Sequence, residues 1–192
     1  MSVSSSITGR LACQAHRLAP IILPLLLALL LLLVGGCASS PYSTFNEALA
    51  LAREGKLQQA ENAFLIAITE DAGNAEAWNQ LGIIAFEQKR YQLALDRFSQ
   101  AYEIDPLNSA YLRNIAMSHA QLDQLAIAKE WISRALRIDP GDADSWVVQA
   151  KIALLREQYD PAREAVARAL QLEPDHKEAL SLLTYLQSGP AS

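Results

Sequence analysis

Apolar residues along this chain recur in paired helical series. Trp78, Leu81, Ile84 and Ala85 return at spacings of three and four, the polar run Glu87-Gln88-Lys89-Arg90 interrupts, and Tyr91, Ala94, Leu95, Phe98, Ala101 and Tyr102 resume the rhythm. Both series have a period of about 3.6 residues, which predicts two short amphipathic helices joined by a tight turn. Sliding the chain by 34 residues superposes these series on their neighbours without a gap. Ala60, Ala94, Ala128 and Ala162 form one column, Ala67, Ala101, Ala135 and Ala169 a second, Phe64, Phe98, Ile132 and Val166 a third, and Pro106, Pro140 and Pro174 a fourth. A fixed period of this length marks a stack of equivalent units. The units are 41–74, 75–108, 109–142 and 143–176, and places 1 to 34 are counted within each.

The punctuation agrees with the period. Asn74, Asn108 and Asp142 precede the first helix of units two, three and four, where a short oxygen-bearing side chain caps orphan N–H groups. The prolines of the fourth column stop each second helix, since proline has no donor to continue it. Asp160-Pro161 is expected to open the second helix of the fourth unit as a cap and first-turn proline. Gly73 and Gly141 stand in the inter-unit turns, where a positive φ is expected of them. Small residues at places 8 (Ala48, Gly82, Ala116, Ala150), 20 and 27 are expected to let paired helices approach closely.

Trp78, Leu81, Gly82, Ala94, Phe98, Ala101 and Pro106, in this spacing, resemble the tetratricopeptide repeat, and the resemblance runs from Pro41 to His176. The first unit departs most: Thr44 and Glu47 replace an aromatic residue and a leucine, and Ala72 replaces the proline, as suits a terminal unit with one face in solvent. The resemblance implies an all-α fold, a right-handed α-solenoid of four helical hairpins over 42–187. Segment 177–187, with Ala179, Leu180, Leu182, Leu183 and Leu186, reads as a capping helix over the last hydrophobic face, and 188–192 as a tail.

Residues 1–36 read differently. Arg10, His16 and Arg17 precede the apolar stretch Ile21 to Val34, which holds eleven leucines and isoleucines. A basic region, an apolar core and small residues are the parts of a removable secretory signal. Val34-Gly35-Gly36-Cys37 resembles the bacterial lipobox, which implies cleavage before Cys37 and a covalent lipid on its thiol, with no other cofactor expected. Stable anchoring needs more than one acyl chain, at about 0.8 kcal/mol per buried methylene. The alternative is an uncleaved anchor, because Leu18 to Gly36 supplies 19 uncharged residues, although Pro20 and Pro24 interrupt it. Residues 37–41 form a short tether, holding the array within roughly 20 Å of the lipid at no more than about 3.6 Å per residue.

Composition excludes more than it assigns. The chain has 16 Lys plus Arg against 21 Asp plus Glu; without Arg10 and Arg17 the balance is 14 against 21, a net of −7, which opposes nucleic acid as a partner. The two cysteines, Cys13 and Cys37, leave no pair for a disulfide once the leader is gone. His16, His119 and His176 lack ligand spacing, and phosphate loops, a G-x-S-x-G elbow and an H-E-x-x-H pair are absent, so neither an enzyme nor a small-molecule substrate is expected. His119 reads as a satisfied edge histidine. Trp131, in a column of Ala63, Arg97 and Ala165, either covers an irregular junction or is an exposed anchor for a partner.

By resemblance, the first helix of each unit lines a concave groove. Places 5, 9 and 12 share one stripe on that helix. They supply the expected partner-binding residues Phe45, Leu49, Asn79, Ile83, Phe86, Arg113, Met117, Val147, Lys151 and Leu154. Phe86 and Leu154 could instead turn inward over the small Ala85 and Ala153. Family members that hold a C-terminal carboxylate cluster Lys, Arg and Asn here; this stripe is mainly apolar and suits an amphipathic helix or an apolar segment of a protein. The lipobox and repeats together resemble pilotins and assembly lipoproteins of type IV and tight-adherence pili. That implies a membrane-anchored interaction scaffold on the bacterial envelope, at the periplasmic face of the outer membrane. The alternative is a lipoprotein adaptor that regulates a periplasmic cell-wall hydrolase or protease.

Overall fold

Places 8, 20 and 27 set the distance between paired helices. Ala48, Ala116 and Ala150, all four alanines at place 20, and those at place 27 are no more than 1% exposed, with Gly82 buried beside them. The computed structural model describes residues 41–188, with side chains from Thr44 onward; the leader, Cys37 and the tail from 189 lie outside the described residues. Among the described residues there are nine helices and no strands. They are α1 (Pro41–Arg53), α2 (Leu57–Glu70), α3 (Ala75–Glu87), α4 (Tyr91–Ile104), α5 (Ser109–Gln121), α6 (Leu125–Ile138), α7 (Ala143–Leu155), α8 (Tyr159–Leu172) and α9 (Lys177–Ser188).

Odd and even helices pair as hairpins, each packs on the next, and α3, α5 and α7 also touch in succession. The core is therefore a chain of small clusters rather than one centre. Phe64, Phe98, Ile132 and Val166 fill the space left by the alanines, each at most 2% exposed. Gly82 is the tightest point. A Cβ there would stand 2.5 Å from Cδ1 and Cε1 of Phe98, whose buried ring has nowhere to go.

Each hairpin turns by the same backbone device. The N–H groups of Lys56, Arg90, Gln124 and Gln158 bond to the carbonyls of Leu51, Ala85, His119 and Ala153, closing Schellman motifs on α1, α3, α5 and α7. Place 15 consequently takes a left-handed φ: 74° at Gly55, 60° at Lys89 and Asp123, and 58° at Glu157. Only the first unit puts glycine where the turn demands it. Gly73 and Gly141, expected to hold positive φ, do not: Gly55 is the positive-φ glycine among the described residues. Their N–H groups instead bond to the carboxylates of Asp71 and Asp139, as Leu107 does to Asp105.

Two other local expectations are corrected. Asn74 and Asn108 accept N–H bonds from Ala77 and Ala110, but Asp142 makes no such cap, because its carboxylate is taken by Arg113 and the Ser145 hydroxyl. Helix α8 begins at Tyr159 rather than at Asp160-Pro161, and Asp160 pairs with Arg163 one turn on. Trp131 resolves to the junction: its ring meets the edge of Tyr102 at 5.3 Å, and Arg134 lies 4.2 Å from its centre. His119 Nδ1 faces Gln124 Oε1 at 2.6 Å.

Two substitutions test this geometry in opposite directions. Gly82→Ala should lower stability by about 1 to 3 kcal/mol through the clash with Phe98, seen as a lower denaturation midpoint. Glu157→Gly should raise stability by about 0.5 to 1 kcal/mol, because glycine enters the left-handed region without a Cβ penalty.

Candidate functional site

The odd helices present a continuous trough made of three adjoining depressions. The first, about 220 Å³, is lined by Ile83, Phe86 and Glu87 of α3, Asn114 and Met117 of α5, and Phe98. The second, about 180 Å³, shares Phe86 and Met117 with it and adds Gln121, Lys151 and Leu155 among others. The third is the largest at about 510 Å³, running through Lys151, Leu154 and Leu155 to Leu182 and Tyr185 of α9. Two of its apolar side chains stand well out of the protein, Leu155 at 56% and Tyr185 at 49% exposure.

The ten expected groove residues divide into three groups. Ile83, Phe86, Met117, Lys151 and Leu154 line the trough. Phe86 does so with its ring edge on Tyr91 at 5.2 Å, so it is half-buried rather than turned wholly inward. Phe45 and Leu49 sit half-buried against the first core cluster, with Phe45 5.7 Å from Phe64. Asn79, Arg113 and Val147 belong elsewhere. Val147, at 1% exposure, packs with Ala169 and Ala179, because α9 closes over it; its place in the groove is thereby corrected.

Asn79 and Arg113 serve the joints between units. Asn79, 6% exposed, receives a hydrogen bond from Asn114 at 2.8 Å and donates to Glu76. Glu76 also accepts from Gln80 and from the Tyr111 hydroxyl. Arg113 pairs with Asp142 and lies 3.6 Å from Asp144. Lys151 meets Glu178 at 2.6 Å, and His176 Nε2 lies 3.0 Å from Asp144. The other nitrogen of His176 accepts from the Ala179 N–H, so the ring caps α9 while holding α7. A neutral ring with its hydrogen on Nε2 satisfies both bonds.

Every cation at the expected clamp places thus has a carboxylate from its own chain. The trough is left mainly apolar, with no unpaired cation in its lining and Glu87 at one end. Residues missed from the sequence are Asn114, Gln121, Leu155, Leu182 and Tyr185. A signal for them existed: place 13 lies four beyond place 9, and Tyr185 stands at place 9 of an incomplete fifth unit. Among the described residues no metal-holding cluster occurs, and no helix is long and apolar enough to cross a membrane.

Two family profiles, both described as tetratricopeptide repeat, match residues 45–109 and 85–152, together more than half of the chain. The chain belongs to the tetratricopeptide-repeat family. It is 28% identical over 107 residues to the type IV pilus assembly protein PilF of Pseudomonas aeruginosa, covering 55% of this chain and 42% of that protein. The chain spans less than half the length of the curated relatives it matches. Among solved structures, the fold is similar to the anaphase-promoting complex assembly Cut9–Hcn1, with a TM-score of 0.70 and 17% identity over 77% of this chain and 30% of that one. It is also similar to the first repeat domain of Spaghetti (RPAP3) bound to the HSP90 peptide SRMEEVD, with a TM-score of 0.57 and 23% identity, covering 64% and 97%. As a tetratricopeptide-repeat protein, the chain is built as a protein-interaction scaffold.

Tyr111 gives the joints a pH dependence. Burial first, then the charge and hydrogen bond of Glu76, push its phenol up from 10.0 to about 12. The native state therefore keeps a proton that the unfolded chain releases above pH 10. Stability from this group is complete below pH 10 and is lost as pH rises toward 12. Tyr111→Phe should flatten that part of the stability–pH curve, measured by urea unfolding; an unchanged slope would place the loss elsewhere.

Proposed function

We propose that this chain is a lipid-anchored, non-enzymatic scaffold whose trough holds an uncharged apolar helix or segment of a partner during assembly of a pilus or secretion complex. The observation that carries the partner class is that the cation in the trough, Lys151, and the one beside it, Arg113, are both paired within the chain. With Arg113 and Lys151 already engaged by Asp142, Asp144 and Glu178, an acidic peptide such as the one bound by RPAP3 would have to displace carboxylates held in place by the fold. An apolar ridge has no such competitor, and Ile83, Phe86, Met117, Leu154, Leu155 and Tyr185 offer it contact along the length of the array.

The anchor rests on Val34-Gly35-Gly36-Cys37 and the basic and apolar segments before it. Similarity to PilF supports the assembly role, and the residues after Cys37 support the outer membrane, facing the periplasm, by analogy with lipoproteins sorted there.

A photo-crosslinking residue at Met117 or Leu155 of the full chain, in cells, should give an adduct whose mass spectrum identifies a subunit of the pilus or secretion apparatus. Met117→Asp should block assembly without lowering the melting temperature, and Cys37→Ser should move the protein out of the membrane fraction. An adduct with a soluble cell-wall hydrolase, with assembly intact, would replace this reading by that of a regulatory adaptor.

A further inference from the structure

Helix α7 works on two sides. Lys151, Leu154 and Leu155 face the trough, whereas Gln149, Ala153 and the C-cap residue Arg156 lie on a stripe about 170° away by the helical period. That second stripe borders another pocket of about 190 Å³ between α6, α7 and the start of α8, which meets the trough only at Ile152. Its floor is apolar, formed by Ile132, Ile152 and Ala153, and its mouth carries Lys129, Ser133, Gln149, Arg156 and Gln158, with Pro161 at one edge.

The charges here differ from those of the trough. Arg113, Lys151, Arg90 and Arg163 all have carboxylate partners, but Lys129 and Arg156 enter none of the ion pairs among the described residues. Asp160, beside Pro161, is already held by Arg163 at 2.8 Å. The Ser133 hydroxyl donates to the Lys129 carbonyl, which leaves donation into the pocket to the two cations and the two glutamine amides. Two cations without carboxylate partners, flanked by amides that can turn their NH2 groups inward, around an apolar floor are the complement of a carboxylate on an aliphatic stem.

We infer that this pocket binds a single acidic side chain of a protein segment, with an aliphatic neighbour against Ile152 and Ala153, the floor residues that keep some exposed surface. Arg156 can take the carboxylate in a two-pronged bond while Lys129 supplies a point charge. The volume admits one or two side chains. The excess of acids over bases in the whole chain, 21 against 16, opposes the approach of a polyanion or an anionic membrane, so the attraction is local to these two residues. The site opens on the other side of α7 from the trough, with Ile152, which lines both, as the wall between them.

The test is titration of the nitrogen-15-labelled full chain, in detergent, with a capped leucine–glutamate–leucine peptide and its glutamine counterpart. The glutamate peptide should give saturable shifts at the amides of Ser133, Gln149 and Arg156, weakened at least tenfold by Lys129→Gln with Arg156→Gln and unaffected by Met117→Asp. Both substituted side chains are at the surface, and an unchanged melting temperature confirms that the double variant is folded; Arg156→Lys should lose part of the affinity. Equal binding of the glutamine peptide, no saturable shift, or indifference to the double substitution overturns the inference. So does tighter binding of inorganic phosphate or of phosphatidylglycerol nanodiscs than of the glutamate peptide.

Discussion

The closeness of two helices within each hairpin governs the rest of this molecule. It is possible only because places 8, 20 and 27 carry nothing larger than a methyl group, and at Gly82 not even that. Close approach lets one large side chain at place 24 fill the hairpin, and it fixes the direction in which each hairpin meets the next. A stack of such units has no centre to bury a catalytic cleft in. What it offers is length, and a face that repeats.

Repetition makes the apolar contacts of successive units nearly interchangeable, so the differences between units lie in their polar ties. Glu76, Asn79, Tyr111 and Asn114 join units two and three; Arg113, Asp142 and Asp144 join three and four; Asp144, Lys151, His176 and Glu178 join four to the cap. These ties also decide the chemistry of the trough above them. Groups that could have faced a charged ligand face one another, which leaves mainly apolar side chains exposed along that side. On the other side of α7 the balance is reversed, because Lys129 and Arg156 remain outside any such tie.

What could be read from the sequence was whatever the 34-residue period averages over. Eight helices, their pairing, the cap and the buried alanine columns follow from positions that recur four times, where an accidental residue is outvoted. Single-copy features were harder to read. Asp142 looks like Asn74 and Asn108 in its column, but an arginine from the first helix of its own unit takes its carboxylate. Val147 looks like Arg113 and Asn79 in its column, but it meets α9 instead of solvent. Gly73 and Gly141 invite a positive φ by residue type, whereas the backbone hydrogen bonds require it at place 15, where three of four units have no glycine. In each case a hydrogen bond, an ion pair or a packing neighbour overrode what residue type suggested, and such partners leave no trace in one column of a repeat.

The cap shows how stability and binding are joined in this design. Helix α9 buries Ala179 and Leu186 and shields Val147, so it closes the last core; it also supplies Leu182 and Tyr185 to the widest part of the trough. It is a first helix without its second, and it packs on α8 and α7 with no hairpin partner of its own among the described residues. Its attachment depends on the His176 and Glu178 ties at its first turn as much as on apolar contact. A partner lying in the trough against Tyr185 would cover the side of α9 that no helix covers, and would therefore bind the folded end of the array in preference to a frayed one. By mass action such a partner stabilises the cap it touches. The end of the stack lacks a hairpin partner, and it is also where the trough is widest.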